Sequence, residues 1–355
     1  MTSILDSRDK IKAIDEYNLL GSVEALPYQI QDAWDSTKSL TFPATYSAVK
    51  NIIVSGMGGS NLGSLIIKRL FKDELQVPME IYPHYHLPGY VSSESLVLLS
   101  SYSGDTEETL AAAEQARSVG AKIAVITGGG KLAEMAGEHG WPIYLIDPKF
   151  NPSKQPRMAI GYAVFGQLAM FAKMGLINIA ESDVLNLVDN LRELVKNLGP
   201  ENEHSPAKLL AFAAYDKHTI FVAAEHLIGA GHVINNQFNE NAKSLTSEWH
   251  LPEFNHHYME ALSYPKLAKD TTIFFLFNSS LYHERIQKRV LLTKELIEQK
   301  GFEVQLIQAS APTKLEQIFE IIQLGEFVAA YLPILYGIDP SGIPNVDWFK
   351  AEMVK

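Results

Sequence analysis

The chain has 355 residues, 46% hydrophobic and 20% charged, which suits one large or two ordinary domains with a sizeable core and excludes a disordered or fibrous protein. A net charge of −11, with no basic stripe interleaved with aromatic residues, argues against non-specific nucleic-acid binding, so any phosphorylated ligand needs local help. The absence of cysteine removes disulfides, thiolate catalysis and zinc–thiolate sites; without an N-terminal apolar core or a long apolar run, the expectation is a cytoplasmic protein with no membrane partner.

Residues 7–37 carry apolar side chains at irregular helical spacing, which predicts one or two outer helices and no chemistry. From Lys50 the texture changes to short apolar runs alternating with helical stretches. Strands are expected over 52–54, 80–82, 96–100, 122–127 and 143–146, with helices over 61–71, 107–119 and 131–139. Strands spaced by helices imply βαβ units and a parallel sheet covered on both faces. A turn-rich crossing over 148–156 leads to a long apolar helix over 158–176 with Arg157 at its start, then to an amphipathic helix over 180–198.

The pattern breaks at Gly199 to Pro206, which sets the expected division: residues 1–199 as N-terminal helices plus a first sheet domain, and residues 200–355 as a second domain. Beyond the break the alternation resumes. Strands are expected over 219–223, 271–277 and 303–307, with helices over 225–243, 285–300 and 314–335. The fold class is α/β, with two domains, each a mainly parallel sheet flanked by helices. Ligands of such sheets bind outside the carboxyl ends of the strands.

Two turns stand out. Ser100-Ser101-Tyr102-Ser103-Gly104-Asp105-Thr106 closes an apolar strand and opens a helix, so backbone N–H groups and the helix dipole face whatever lies above the turn. Ser101, Ser103 and Thr106 add neutral donors, which makes this a candidate phosphate seat, although the same residues would serve as an ordinary helix cap. Val54-Ser55-Gly56-Met57-Gly58-Gly59-Ser60-Asn61 is a second turn of this kind. It is a poor dinucleotide fingerprint: the third glycine is displaced to Gly63, and Tyr82-Pro83-His84 stands where an acid for the ribose is needed. It is no Walker motif either, since no Gly-Lys-Ser/Thr follows. Two hydroxyl-bearing turns in one sheet favour a bound phosphate.

A dense polar cluster lies over 235–260. Glu240 sits among amides beside apolar helix, where partial desolvation could tune a carboxylate as a base, and His256 could bring an imidazole into the same cleft. Singly, each residue reads as an ordinary helix or loop side chain. His84-x-His86 and His256-His257 lack the spacing and acidic partner of helical metal sites, so no metal is expected.

In this order, Gly56-Met57-Gly58-Gly59-Ser60, Ser101-x-Ser103-Gly104-x-Thr106, Pro156-Arg157, Asn239-Glu240-Asn241-Ala242-Lys243 and Pro252-Glu253-x-Asn255-His256 resemble the bifunctional phosphoglucose/phosphomannose isomerases. Those enzymes are built from two sugar isomerase domains. The resemblance implies a hexose 6-phosphate substrate whose phosphate is bound by Gly59, Ser60, Ser101, Ser103 and Thr106. It further implies Glu240 as the base, His256 with Lys350 for ring opening, and Arg157 beside the enediolate. No cofactor or metal is implied, and a homodimer is, with the histidine contributed by the neighbouring subunit.

The chain departs from the family pattern in having His257-Tyr258 where an asparagine and an acid are expected, and only the loose frame Gly337-Ile338-Asp339-Pro340 leads to Lys350. Ser341 is a candidate small polar neighbour for mannose 6-phosphate. The expected activity is isomerisation of glucose 6-phosphate and fructose 6-phosphate, and of mannose 6-phosphate. The alternatives are an isomerase of another sugar phosphate, or a sugar-phosphate sensor without chemistry, which would need no base.

Overall fold

A computed structural model describes residues 3–353 and Lys355. The chain forms two compact units: Ala25–Arg192 is one, and the residues up to Glu24 join Glu193–Lys355 in the other. The short helices α1 (Arg8–Lys12) and α2 (Leu19–Glu24) therefore belong with the C-terminal part of the chain.

The unit of residues 25–192 opens with α3 (Leu26–Ser36) and holds a five-stranded, all-parallel sheet of β1 (Asn51–Ser55), β2 (Met79–Ile81), β3 (Ser95–Ser101), β4 (Lys122–Thr127) and β5 (Ile143–Leu145), in the order β2-β1-β3-β4-β5. Its helices are α4 (Gly59–Leu70), α5 (Glu107–Ser118), α6 (Gly130–His139) and α7 (Ile160–Lys173). β3 is buried at every position, as its run Ser-Leu-Val-Leu-Leu-Ser-Ser requires of a central strand covered on both faces. On one face Ala112, Ala113 and Ala116 of α5 pack against Val97, Leu99 and Val125, the alanines letting helix and sheet approach closely. On the other side α7 is buried along nearly its whole length and packs with α3 and α4. The strand order reverses between β1 and β3, so their carboxyl ends lie side by side and open a crevice at the topological switch point.

α8 (Glu181–Leu198) leads into the second unit. There α9 (Pro206–Ala214), β6 (His218–Ala224), α10 (Ile228–Gln237), a π-helical turn (Phe238–Ala242) and β7 (Thr246–Leu251) are followed by α11 (Phe254–His257), α12 (Ala268–Thr271), β8 (Thr272–Ser279), α13 (Glu284–Gln299), β9 (Glu303–Ala309), α14 (Lys314–Tyr336) and α15 (Pro344–Met353). Its four strands are all parallel in the order β7-β6-β8-β9, the same winding as the first four strands of the other sheet.

α14 is the core helix of this unit. A Thr313/Glu316 capping box starts it and Gly337, in the left-handed conformation, ends it. It is long and apolar enough to cross a membrane by composition alone, yet 83% of that apolar window is buried inside the protein. α2 packs on it through buried Leu19, Leu20 and Val23, and Gln323 donates to the Val23 carbonyl at 2.9 Å.

Three features of this unit differ from the sequence-based expectation. Residues 246–251 form an edge strand, unmarked in the sequence because Thr-Ser-Glu-Trp-His is polar and half-exposed on both faces. The stretch 225–243 is divided into a 3-10 turn, α10 and the π turn. Right after the expected linker, Pro206 starts α9 from the first helical position, where its missing N–H costs nothing.

Candidate functional site

Both hydroxyl-rich turns lie at the switch point of the five-stranded sheet, the 56–60 turn after β1 and the 101–106 turn after β3. They are stitched to each other. Ser100 Oγ donates to the Ser60 carbonyl at 2.9 Å, and the Tyr102 N–H donates to Ser60 Oγ at 3.2 Å. Gln167 of α7 also donates to the Ser60 carbonyl, at 3.3 Å, and its own oxygen accepts from Ser64 Oγ at 2.6 Å.

Glycine permits the close backbone approaches here, Gly56 that of the two turns and Gly104 that of the second turn to the turn after β4. A Cβ on Gly56 would lie 2.6 Å from the Ser100 carbonyl, and Gly104, at φ +79°, would drive one to 1.8 Å from the Gly129 carbonyl.

The hydroxyls of the second turn bond to each other rather than to the start of the helix. Thr106 occupies the N-cap of α5 but its side chain makes no capping bond; its Oγ1 pairs instead with Ser101 Oγ at 2.8 Å, and Ser101 Oγ accepts from the Gly104 N–H at 3.1 Å. The first turn of α5 is thus not capped by its own Thr106, and the two hydroxyls form a preset pair beside it. Ser103 is exposed and accepts locally from the Asp105 N–H at 3.3 Å. Gly59, Ser60, Ser100, Tyr102 and Pro156 line one small pocket.

Arg157 belongs to the same neighbourhood. A Cβ on Gly59 would sit 3.4 Å from the Arg157 Cα and 3.5 Å from the Pro156 carbonyl, so the 156–158 turn rests against the start of α4. Arg157 is only 4% exposed and donates to Gln155 Oε1 at 2.9 Å. The segment is held from below by fully buried Gln29 of α3, whose amide donates to the carbonyls of Phe150 (3.0 Å) and Met158 (2.9 Å) and accepts from the Gly161 N–H (3.2 Å). Nothing in the sequence marks Gln29, since its partners lie more than a hundred positions away.

In the second unit Glu240 lies in the π turn that extends α10, half-buried between buried Phe238, Asn241 and Ala242. π turns widen a helix by one residue and re-aim the side chains after them. Lys243, left-handed at φ +54°, donates from its ammonium to the Glu240 carbonyl at 2.8 Å and to the Pro340 carbonyl at 2.7 Å. One ammonium therefore holds the segment of buried Ser341 against the Glu240 turn.

His256 is exposed on α11. Its neighbours fix the helix: Phe254 is buried and stacks on Tyr258 at 4.7 Å, and Asn255 donates to Thr293 Oγ1 at 2.8 Å while accepting from Arg289 at 3.2 Å. His257, the departure from the family pattern, packs edge-on against Trp249 at 5.3 Å.

Alternation along β7 separates the contacts of α10 from those of α11. Glu248 meets His232 of α10 at 2.8 Å and His250 at 3.6 Å on one face, whereas Trp249 meets His257 and Tyr258 on the other. The Glu240 turn continues α10, which meets the Glu248 face of β7, and α11 packs on the Trp249 face. Lys350 lies on α15, where Trp348 and Phe349 beside it are exposed as well.

The switch point of the second sheet carries no glycine-rich turn and is filled by its own side chains. Gln317 Oε1 binds buried His226 at 3.0 Å and Ser279 Oγ at 2.6 Å, and the Ala224 N–H donates to the buried Tyr282 hydroxyl at 3.3 Å. Among the described residues, no three His, Asp or Glu side chains cluster so as to hold a metal ion.

Comparison with known proteins identifies both domains. Residues 45–139 match the family model of the SIS domain, and residues 203–353 match that of the bacterial phospho-glucose isomerase C-terminal SIS domain. A bifunctional phosphoglucose/phosphomannose isomerase of Caldicellulosiruptor bescii is 32% identical over 94% of this chain and 98% of its own length. The chain belongs to that family.

A second bifunctional phosphoglucose/phosphomannose isomerase, from Aquifex aeolicus, is 30% identical over 86% of this chain and 91% of its own length. A solved structure of a hypothetical protein from Thermus thermophilus has the same fold, with a TM-score of 0.74 at 18% identity, covering 98% of this chain and 92% of that one. The two-domain α/β sugar-isomerase architecture expected from the sequence is therefore the one observed.

Proposed function

We propose that this member of the bifunctional phosphoglucose/phosphomannose isomerase family interconverts glucose 6-phosphate and mannose 6-phosphate with fructose 6-phosphate by proton transfer through a cis-enediolate. The observation that carries the reading is the Ser101–Thr106 hydroxyl pair at the start of α5, which Thr106 does not cap, in a turn bonded to the Gly59-Ser60 turn against which buried Arg157 rests. Gly59, Ser60, Ser101, Ser103 and Thr106 hold the phosphate dianion with neutral donors and the helix dipole, which avoids burying a further cation.

Glu240 takes the proton from C2 of the open-chain sugar and returns it to C1, one carboxylate reaching both carbons. Arg157, preorganised by Gln155 and the Gln29 brace, stabilises the charge that develops on the enediolate oxygens. His256 and Lys350 open the ring. Ser341, held near the Glu240 turn through Lys243, is the small polar neighbour that accommodates rotation about C2–C3 for the mannose epimer. In keeping with the family resemblance, each site takes its histidine from the second chain of a homodimer, a reading supported by α10 and α11 packing on opposite faces of β7. The exposed apolar side of α15 gives such a partner a surface to cover.

The test is turnover of fructose 6-phosphate and mannose 6-phosphate by purified protein, with and without chelator, for the wild type and Glu240→Gln. The variant should bind a sugar phosphate and lose turnover by several orders of magnitude. Retained turnover would remove Glu240 as the base, and saturable binding by the wild type without C2 proton exchange in heavy water would make the protein a sensor.

A further inference from the structure

The π turn that carries Glu240 is an unusual element, and a turn that departs from α-helical bonding persists only where its surroundings hold it. Its last α-helical neighbour, Gln237 of α10, is completely buried, and its amide donates to Glu326 Oε1 at 2.8 Å. Glu326 lies in the middle of core helix α14 and is 1% exposed. Its second oxygen, Oε2, is buried with no hydrogen-bond partner among the described residues. The two helices touch at this level: a Cβ on Gly325, next to Glu326, would lie 2.3 Å from Ile234 Cγ1 of α10.

A carboxyl in an apolar core between two closely packed helices has no stabilising value of its own, since a methionine or leucine would fill the space without burying a polar group. We propose that Glu326 is a positioning residue that clasps Gln237 and so fixes the π turn in the register that aims Glu240. This rests on the assignment of Glu240 as base.

The electrostatics agree with a neutral acid. Burial raises the Glu326 carboxyl to about 8, the hydrogen bond from Gln237 only partly opposes this, and no charged side chain of any neighbouring element contributes.

The experiment compares Glu326→Gln and Glu326→Met with the wild type in kcat, KM for fructose 6-phosphate, and amide exchange of the peptide spanning 238–243. An amide can accept from Gln237 as a neutral acid does, so Glu326→Gln should keep kcat within about threefold and leave exchange unchanged. Glu326→Met should lower kcat by ~10- to 100-fold at a KM within about twofold, and should raise exchange in that peptide. A pH series covers the case in which Glu326→Met does not fold. The unfolded carboxyl titrates near 4.5 and the folded one near 8, so wild-type Tm should fall as pH rises through that window, and the Glu326→Gln profile should lack that fall.

Equal damage by both substitutions, a Glu326→Met variant with wild-type kcat and exchange, or parallel pH profiles for wild type and Glu326→Gln would overturn the clasp. Failure of the base assignment shows separately, as turnover by Glu240→Gln.

Discussion

Thr106 is the residue at which an ordinary helix cap and the proposed phosphate seat differ. Its hydroxyl is spent on Ser101 rather than on the α5 backbone, a distinction that side-chain geometry shows and sequence does not. Hydrogen bonds to a charged group are worth ~1.5–3 kcal/mol, so Thr106→Ala should raise KM for a hexose 6-phosphate by roughly 10- to 100-fold while kcat at saturation changes little. Steady-state kinetics on fructose 6-phosphate measures both numbers; a fall in kcat at constant KM would remove Thr106 from the phosphate seat.

Gly56 answers to packing instead. A methyl there meets the Ser100 carbonyl at 2.6 Å, a backbone atom that cannot swing away, so Gly56→Ala should spread the two turns, weaken phosphate binding and lower Tm. Hydroxyls and glycines were legible in the sequence because their chemistry is local to one turn. Gln29 and Gln167 were not, because a buried glutamine that satisfies distant carbonyls has no sequence pattern of its own.

Between elements, the telling contact is the one that joins α10 to β7. Desolvation alone would raise the Glu248 carboxyl, yet the hydrogen bond to His232, with His250 close by, prevails and holds it at about 2. A carboxyl whose folded value lies below its unfolded one contributes stability that is fully present above pH 4.5 and is lost as pH falls toward 2. Wild-type protein should therefore melt above Glu248→Gln at pH 6, and the gap should close in melts run toward pH 3; a gap that persists would show that the pair acts by shape rather than by charge.

Strand β7 hid in the sequence because an edge strand with both faces half-exposed has neither an apolar run nor an alternating pattern. The buried strands β3 and β8 were legible for the opposite reason: a parallel strand covered on both faces has to be continuously apolar. The π turn has no sequence signature either; what showed through was the amide-rich Asn-Glu-Asn around it.

At the scale of the whole molecule, the two sheets share one winding but divide the labour. The crevice of the five-stranded sheet opens on glycine and hydroxyl turns, while that of the four-stranded sheet is closed by Ser279, Gln317, His226 and Tyr282. The duplicated texture was visible in the sequence, but the closure was not, because it depends on side chains meeting from three different elements.

The proposed homodimer makes a prediction for Glu240 and His256, whose elements pack against opposite faces of β7. Glu240→Gln and His256→Ala homodimers should each be nearly inactive. If each site joins Glu240 of one chain to His256 of the other, a mixed dimer has one doubly damaged site and one intact site. Statistical subunit exchange of equal amounts makes about half the dimers mixed, so activity should recover to about a quarter of wild type. If both residues acted from one chain, every site in every dimer would carry a substitution and mixing would restore nothing. Activity before and after exchange of the two variants, with mixed dimers resolved by a tag on one chain, distinguishes the two arrangements.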